Sequence, residues 1–591
     1  MSIKTNILDQ INGPTEVKKL TIDEMSELAT EMREKILQKN SAIGGHVGPN
    51  LGVVELTIAF HHVFDSPKDK IVWDVSHQSY GHKLLTGRKN GFEEGSYHEI
   101  SGYSNQHESE HDYFTVGHTS TSISLAVGLA KARDLKQEKG NIIAFIGDGS
   151  LSGGLAFEGL NNGGTINSNL IVLVNDNEMS IDENQGSLYR HLAELRESNG
   201  TSNDNLFKAM GYDYRYIADG NDLETVIEVF REIKDIDHPI VLHVHTEKGH
   251  GYEPAVENKM KYHWHVPFDL ETGEAKNAPT SESFNQIIMN YLDEKTKTSA
   301  TPIVAVNAAI PGMFGLKEFQ KKHPEHYFDV GIAEQHSITF ASALASQGIR
   351  PVVFHSSVFL QRAYDQLSHD LAINENPVVI LIGGASISGS DRTHQGTFDI
   401  PYLSSIPNIK YLAPATKEDL LSMLDWSLSQ TDTPVAIRIP AHGVTSGEAI
   451  AKDYAIPSYQ RLVAGDKVAI LALGGFLELG KQALEEFANQ GISGTLINPG
   501  TITELDHETL EELKENHQLI ITLEDGSLSG GFGEKISGYY GDSAIQVLNF
   551  GSQKEFTDSV PVQTLYERYH LTPKQIVADS LSSLNQQKKT E

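Results

Sequence analysis

The chain has 591 residues, and 79 acidic against 47 basic side chains give it a formal net charge of −32. A single hydrophobic core stops growing near ~250–300 residues, so we expect about two to four domains. The charge makes a nucleic acid or an anionic membrane an unfavourable partner. The absence of cysteine excludes disulfides, zinc–thiolate sites, iron–sulfur clusters and a cysteine nucleophile. No apolar run is long enough to span a bilayer and the N-terminus lacks a secretory pattern, so we expect a cytoplasmic protein.

Short apolar runs that end in Gly, Asp or Asn recur along the chain. They are rich in β-branched residues and do not alternate with polar ones, which is typical of strands buried on both faces of a parallel sheet. The runs cover residues 142–146, 170–174, 378–382, 468–473 and 519–523. Helical segments are predicted at 122–137, 417–429 and 477–490. This alternation predicts an α/β fold of doubly wound domains with mostly parallel sheets, whose ligands bind at the carboxyl ends of the strands.

Two polar stretches interrupt this pattern and divide the chain. Residues 266–300 and 441–460 contain several Pro and Gly residues and are interpreted as linkers. The division predicts three α/β domains: 1–270, 300–445 and 460–591.

Polar clusters follow two of the predicted strands. Gly147-Asp148-Gly149-Ser150 ends the first, and Asn175-Asp176-Asn177 ends the next. On its own, Gly-Asp-Gly is often an ordinary turn at a strand end. With a second cluster on the neighbouring strand, carboxylate and amide oxygens can hold Mg²⁺ and leave ligand positions for a diphosphate. The glycines let backbone N–H groups approach phosphate oxygens.

The chain resembles the thiamine-diphosphate enzymes of the transketolase group, and within that group the 1-deoxy-D-xylulose-5-phosphate synthase family. The two polar clusters match the group's metal and diphosphate signature. Further matching motifs occur in family order over nearly the whole chain, at residues 41–46, 73–80, 116–122, 248–255, 328–336, 359–366 and 393–396. The resemblance implies domains of transketolase type: a diphosphate- and Mg²⁺-binding domain, an aminopyrimidine-binding domain and a C-terminal transketolase-like domain.

The resemblance also implies roles for individual residues. Asp148, Asn177 and the carbonyl of Met179 match the metal ligands. The positions that match contacts to the cofactor are His77, Gly117, His118, Thr119, Gly149, Ser150, Asn177, Tyr252 and Glu334. Glu334 matches the carboxyl group that binds N1′ of the aminopyrimidine, where it favours the tautomer that removes the C2 proton of the thiazolium.

Three histidines within the matched motifs are expected to act in catalysis together with Glu334. An isolated histidine is more often structural, but His46, His77 and His394 lie within the cofactor pattern. An imidazole titrating near neutrality can move the proton at the acceptor carbonyl as the new carbon–carbon bond forms. Asp391, Arg392 and Tyr364 are candidate substrate contacts.

The implied reaction transfers a two-carbon unit from pyruvate, with decarboxylation, to D-glyceraldehyde 3-phosphate, a step in isoprenoid and thiamine precursor biosynthesis. A homodimer is implied as well. The chain departs from the family where two phosphate-binding arginines are replaced by Gly384 and Ala441, and where the segment after Ile181 is shortened. These departures leave two alternatives open: the same chemistry with an unphosphorylated acceptor or a ketose donor, or a non-catalytic paralogue. Arg392 and His442 are the candidate replacements for the missing charge.

Overall fold

The structure is a computed structural model that describes residues 6–276 and 282–590. The chain forms two compact units, Met1–Thr280 with Gly331–Ala333 and Ser281–Val330 with Glu334–Glu591. Within the described residues the strands form three sheets. No described helix is long and apolar enough to cross a membrane.

The first unit is built around a parallel sheet with strand order β1-β2-β3-β5-β4. Its strands are β1 Lys70–Trp73, β2 Ile142–Gly147, β3 Leu170–Asp176, β4 Asp213–Ile217 and β5 Pro239–His245. Alternate strand residues enter two separate core clusters, so that Ile143 and Phe145 pack on one face and Ala144 and Ile146 on the other. Its helices are Ile7–Gln10, Pro14–Val17, Ile22–Ile43, Gly48–Leu51, Val54–Val63, Tyr80–Leu85, Ser122–Leu135, Asp148–Leu151, Gly154–Gly163, Ser187–Glu197, Leu206–Ala209, Leu223–Ile233 and Glu253–Glu257, with a 3₁₀ turn at Lys89–Phe92.

The second unit contains two sheets. The first is parallel, with order β10-β11-β9-β8-β6-β7: β6 Ile303–Asn307, β7 Tyr327–Asp329, β8 Arg350–Ser356, β9 Val379–Gly383, β10 Lys410–Leu412 and β11 Val435–Arg438. The other has order β12-β14-β13-β15-β16: β12 Gln460–Val463, β13 Lys467–Ala472, β14 Gly494–Asn498, β15 His517–Ser527 and β16 Gln546–Ser552. Only β12 is antiparallel among its described strands. One core cluster includes both Val353 of β8 and Ala469 of β13, so the two sheets share buried packing.

Helices surround both sheets of the second unit. They are Phe284–Thr298, Pro311–Phe314, Leu316–Lys322, Glu334–Ser346, Ser357–Leu360, Asp399–Ser404, Lys417–Ser429, Leu477–Asn489, His507–Asn516, Phe532–Tyr539, Val562–Arg568 and Pro573–Thr590, with 3₁₀ turns at Pro324–His326, Gln361–Ala363 and Gly474–Phe476 and a π-helix at Gln366–Ala372. The predicted doubly wound α/β class with mostly parallel sheets is confirmed.

One sequence interpretation is wrong. The segment 266–300 was expected to be a linker, but Phe284–Thr298 is a helix. Its Phe284, Ile287, Ile288 and Leu292 are buried, at the spacing that lines one helix face. Residues 277–281 of that segment lie outside the described residues. The second predicted linker contains no described helix or strand between Arg438 and Gln460.

Candidate active site

The two polar clusters of the first unit lie at adjacent strand ends. β2 and β3 pair in parallel, with Gly147 opposite Asn175. The short helix Asp148–Leu151 starts directly after β2. A Cβ atom on Gly149 would lie 2.6 Å from Cβ of Ser180. The first turn, residues 147–150 after β2, therefore touches the second turn, residues 175–180 at the end of β3, and no larger residue fits at position 149 without a shift.

Asp148 is fully buried in this contact. The side-chain amide of Asn184 donates a hydrogen bond to its Oδ2 (2.6 Å). Burial, followed by the negative charge of Asp176, raises the pKa of Asp148 well above its usual range. The carboxylate is therefore in an environment that a cation would relieve.

Two amide oxygens near these strand ends are further candidate ligands for a metal ion. Oδ1 of Asn177 and Oδ1 of Asn184 are buried, and neither has a hydrogen-bond partner in the described part of the chain. An unsatisfied buried oxygen is costly, and Mg²⁺ prefers oxygen ligands of this kind. No group of three or more His, Cys, Asp or Glu side chains among the described residues could hold a metal on its own. The residues present thus fit an ion that also takes ligands from a bound phosphate.

Three imidazoles lie together beside the second turn. The rings of His46 and His77 are 5.0 Å apart, and His263 lies 5.5 Å and 5.3 Å from them. Lys248 Nζ donates to the carbonyl of Ser180 (2.6 Å) and lies 3.0 Å from Nδ1 of His263. Burial lowers the pKa of Lys248 to about 7. Burial, and then the charge of Lys248, lowers the pKa of His263 well below its usual range.

The predicted residues Gly117, His118 and Thr119 are held near the first turn through Ser120. Its hydroxyl donates to the carbonyl of Ser150 (2.7 Å), and its backbone N–H donates to Asp74 (2.8 Å). Asp74 also accepts from the N–H of Ser122, at the start of the helix Ser122–Leu135. Next to His77, the side chain of Gln78 accepts a hydrogen bond from Asn175 (2.9 Å).

Tyr252 lies in a different setting from the other predicted cofactor contacts. Its hydroxyl donates to the carbonyl of Leu270 (3.0 Å), and its ring packs against Tyr262 and Phe268. Its role at the cofactor therefore stays a prediction.

Glu334 opens a helix of the second unit. It is buried at the start of Glu334–Ser346, and its Oε2 has no hydrogen-bond partner among the described residues. The guanidinium of Arg362 lies 3.6 Å from that oxygen. Burial raises the pKa of Glu334, and the charge of Arg362 opposes the rise. A buried carboxyl group with an oxygen that lacks a hydrogen-bond partner can form one hydrogen bond with a ligand nitrogen. It donates when it is protonated and accepts when it is ionised.

His394 belongs to the same neighbourhood as Arg362. Its ring meets Phe359 edge-on with 5.8 Å between centroids, and its Nδ1 lies 3.2 Å from Oδ2 of Asp391. Asp391 also accepts a hydrogen bond from the backbone N–H of Thr393 (2.8 Å), which stabilises the turn between Asp391 and His394. Phe359 and Arg362 are one helical turn apart, so Glu334 and His394 flank the same segment.

Arg392 and Tyr364 line one cavity of about 660 Å³ in the second unit. Phe398, Tyr402 and Phe556 contribute aromatic walls. The Nε of Arg392 lies 3.8 Å from Asp558. His442, the other candidate cation, lies 3.8 Å from the buried Asp525. Each candidate therefore faces a carboxylate of the protein itself.

The contacts of Lys248, Asn184 and Arg362 were not assigned from the sequence. Lys248 lies three residues after the end of β5, and a fully buried lysine is nearly always paired with another group. Asn184 follows the Asn-rich turn closely and could have been considered a further oxygen ligand. These contacts join residues that are distant in sequence: Asn184 and Asp148 are 36 residues apart, and Lys248 and Ser180 are 68 apart.

Family models match three consecutive parts of the chain. The family model described as 1-deoxy-D-xylulose-5-phosphate synthase matches residues 8–205 and 199–246. Models of the transketolase pyrimidine-binding domain and the transketolase C-terminal domain match residues 282–444 and 458–576.

Curated relatives extend the same similarity to nearly full length. A protein of Syntrophomonas wolfei named 1-deoxy-D-xylulose-5-phosphate synthase is 38% identical, over 97% of this chain and 96% of the relative. The protein of the same name from Caldanaerobacter subterraneus is 40% identical, over 97% and 98%. Among solved structures, a transketolase from Campylobacter jejuni is 16% identical, with a TM-score of 0.44 over 95% of this chain and 100% of that one, too distant to support a functional argument.

Proposed function

The chain belongs to the 1-deoxy-D-xylulose-5-phosphate synthase family, and on that basis we propose that it condenses pyruvate with D-glyceraldehyde 3-phosphate. The products are 1-deoxy-D-xylulose 5-phosphate and CO₂, and the cofactors are thiamine diphosphate and Mg²⁺. The observation that supports this proposal is the pairing of β2 with β3, whose adjacent ends lead into the buried Asp148 and the unsatisfied amide oxygen of Asn177.

The residues of the first unit would hold the metal and the diphosphate. Asp148, Asn177 and the carbonyl of Met179 are the proposed Mg²⁺ ligands. Gly149 leaves room for the close approach of the two turns, and the segment of Gly117, His118 and Thr119 is held beside Ser150 through Ser120. His46 and His77, whose rings pack against His263, would form hydrogen bonds to an anionic or carbonyl group of the substrates.

When bound, thiamine diphosphate supplies the carbon nucleophile that takes up the two-carbon unit of pyruvate. The side chains of the protein would control the positions of the protons during the reaction. A protonated Glu334, favoured by burial, can hold a hydrogen bond at a ring nitrogen of the cofactor. His394, paired with Asp391, can deliver a proton to the acceptor carbonyl oxygen.

Comparison with the relatives favours the phosphorylated acceptor, because the proteins named above carry the name of the phosphorylated product. It gives no support to an unphosphorylated acceptor, a ketose donor or a non-catalytic paralogue. The buried polar groups at Asp148, Asn177 and Glu334 also argue against a non-catalytic protein, since they are costly without a ligand.

The chain would form a homodimer, as the family resemblance implies. It would act in the cytoplasm on small-molecule substrates. Its domains would follow the division 1–270, 300–445 and 460–591, with the helix Phe284–Thr298 added to the second domain.

An acceptor screen with the purified protein tests the proposed function. Pyruvate, thiamine diphosphate and Mg²⁺ are incubated with glyceraldehyde 3-phosphate, glyceraldehyde or a pentose phosphate, and pyruvate loss and product mass are measured. We expect pyruvate consumption with glyceraldehyde 3-phosphate to exceed that with the other acceptors. If pyruvate is not consumed with any acceptor, the proposed function is wrong.

A further inference from the structure

A buried network of charged side chains surrounds Asp176, which lies between Asn175 and Asn177 in the second turn. The carboxylate of Asp176 is buried and accepts hydrogen bonds from Arg196 and from Nε2 of His243 (2.8 Å). The other ring nitrogen of His243 lies 2.8 Å from the hydroxyl of Tyr214. Asp176 is thus satisfied by a guanidinium on one side and by an imidazole of β5 on the other.

Arg196 also reaches past Asn177. Its second guanidinium nitrogen lies 3.1 Å from Oε2 of Glu178, so one side chain contacts carboxylates on both sides of the proposed metal ligand. Glu178 adopts a left-handed backbone conformation, with φ of 65°, that non-glycine residues rarely adopt. Its backbone N–H donates to Asp176 Oδ1 (3.1 Å). The turn is therefore held by contacts at both ends in a conformation that it would not favour alone.

The helix that carries Arg196 contacts the first turn as well. In Ser187–Glu197, Leu192 and Leu195 are buried in the core, which fixes the helix against the sheet. The hydroxyl of Tyr189 donates to the carbonyl of Gly149 (3.3 Å). A single helix thus reaches the turn of Asp148 through Tyr189 and the turn of Asn177 through Arg196.

The charge balance gives Arg196 a second effect. Asp148 and Asp176 are both buried, at the ends of two paired strands. A guanidinium paired with Asp176 compensates one of these two carboxylates, because opposite charges interact strongly where water is excluded. The shortened segment after Ile181 is the part of the sequence that supplies this cation.

We propose that Arg196 is a positioning residue for the metal site: by pairing with Asp176 and Glu178 it holds Asn177 in place for a divalent cation shared with a diphosphate. The inference rests on the proposed function, since it assumes that this cation binds at Asp148 and Asn177. Arg196 itself contacts neither the metal nor the substrate.

The test is a titration with Mg²⁺ in the presence of saturating thiamine diphosphate. Binding is measured by isothermal titration calorimetry and by the shift in melting temperature. Arg196→Gln removes the charge, and Arg196→Lys keeps the charge but loses the forked geometry. The exposed Arg190, on the same helix, supplies the matched control Arg190→Gln. Asp148→Ala, which removes a proposed ligand, is the reference for loss of binding.

We expect Arg196→Gln to raise the half-saturating Mg²⁺ concentration by ~10–100-fold, the usual effect of losing a partner behind a metal ligand. Arg196→Lys should recover part of that loss, and Arg190→Gln should match the unaltered chain. A purely structural arginine would lower the melting temperature without ligands and leave the Mg²⁺ affinity of the folded protein unchanged. If Arg196→Gln does not fold, Arg196→Lys serves as the test, since a Lys variant with unaltered Mg²⁺ affinity would overturn the inference.

The outcomes separate the inference from the proposed function. If the unaltered chain binds Mg²⁺ and thiamine diphosphate and the folded Arg196 variants bind them equally well, only the inference is wrong. If the unaltered chain binds neither ligand, the proposed function and the inference are both wrong.

Discussion

At the scale of single residues, Glu334 has the chemical environment that is easiest to test. It is buried, its pKa is raised, and its Oε2 has no hydrogen-bond partner in the described part of the chain, with Arg362 3.6 Å away. Glu334→Gln keeps the size of the side chain but removes its acidic proton. We expect the exchange of the C2 proton of bound thiamine diphosphate to slow by ~10²–10⁴-fold, the usual contribution of a positioned acid–base group.

Proton NMR of the cofactor after quenching measures this exchange directly. The exposed Glu318, paired with Lys321 at the surface, provides the control Glu318→Gln, which should exchange at the unaltered rate. Near-normal exchange in Glu334→Gln would show that Glu334 does not act on the cofactor.

The candidate replacements for the missing arginines also belong to the residue scale. Arg392 faces Asp558, and His442 faces Asp525, so neither offers its whole charge to a phosphate. Loss of two charge-assisted contacts of ~1.5–3 kcal/mol each corresponds to roughly two to four powers of ten in affinity, unless other groups replace them. We therefore expect a raised KM for glyceraldehyde 3-phosphate and a small preference over glyceraldehyde, which Arg392→Ala should abolish.

Steady-state kinetics test this expectation. The KM for glyceraldehyde 3-phosphate is measured for this chain and, under the same conditions, for the relative from Caldanaerobacter subterraneus. The exposed Arg461 provides the control Arg461→Ala. A KM equal to that of the relative and unchanged in Arg392→Ala would mean that other groups hold the phosphate.

At the scale of elements, a buried ion network holds the irregular segment that leads to Gly117. Asp112 is buried and accepts from Arg88 (2.7 and 3.0 Å), from the backbone of Asn105 (2.9 Å) and from His82 (3.0 Å). Nε2 of His61 lies 3.0 Å from Nδ1 of His82. Burial alone would raise the pKa of Asp112, but the hydrogen bonds from His82 and Arg88 hold it well below its usual range.

This depressed pKa fixes the sign of a pH effect. The ionised Asp112 stabilises the fold at every pH above its unfolded pKa of ~3.9, and the effect is lost as the pH falls towards the folded value. Asp112→Asn leaves the buried Arg88 with only its longer contact to Glu108 (3.4 Å), so we expect a loss of ~3 kcal/mol at neutral pH, the lower end of the range for a broken buried pair. Thermal unfolding from pH 7 to pH 3 should show the difference from the unaltered chain shrinking below about pH 4. Glu110→Gln, exposed in the same segment, is the control, and a difference that does not change with pH would contradict the account.

The elements also show which parts of the fold could be predicted from sequence. The sequence predicts the buried strands β2 and β3 because their apolar runs and terminal polar clusters are local features, and the parallel pairing brings the ends of these strands side by side. The helix Phe284–Thr298 is difficult to predict because its buried residues are spread among polar ones, and the nearby Pro and Gly favour a linker. The contacts of Lys248 with Ser180 and His263, and of Arg196 with Asp176, could not be predicted, since they depend on how distant segments pack.

At the scale of the whole molecule, the two sets of candidate site residues lie in different units. Asp148, Asn177, His46 and His77 belong to the first unit, and Glu334 and His394 to the second. The proposed reaction requires both sets. A test of the complete reaction is therefore stricter than any binding measurement on one unit.

The most direct test of the proposed function follows the carbon atoms of the donor. Pyruvate labelled with ¹³C at both C2 and C3 is incubated with glyceraldehyde 3-phosphate, thiamine diphosphate, Mg²⁺ and the protein, and the products are followed by ¹³C NMR. We expect 1-deoxy-D-xylulose 5-phosphate with the intact labelled pair at its methyl and carbonyl carbons, unlabelled CO₂, and no product from Glu334→Gln. The absence of a labelled ketose phosphate, or its formation at an unaltered rate by Glu334→Gln, would contradict the account.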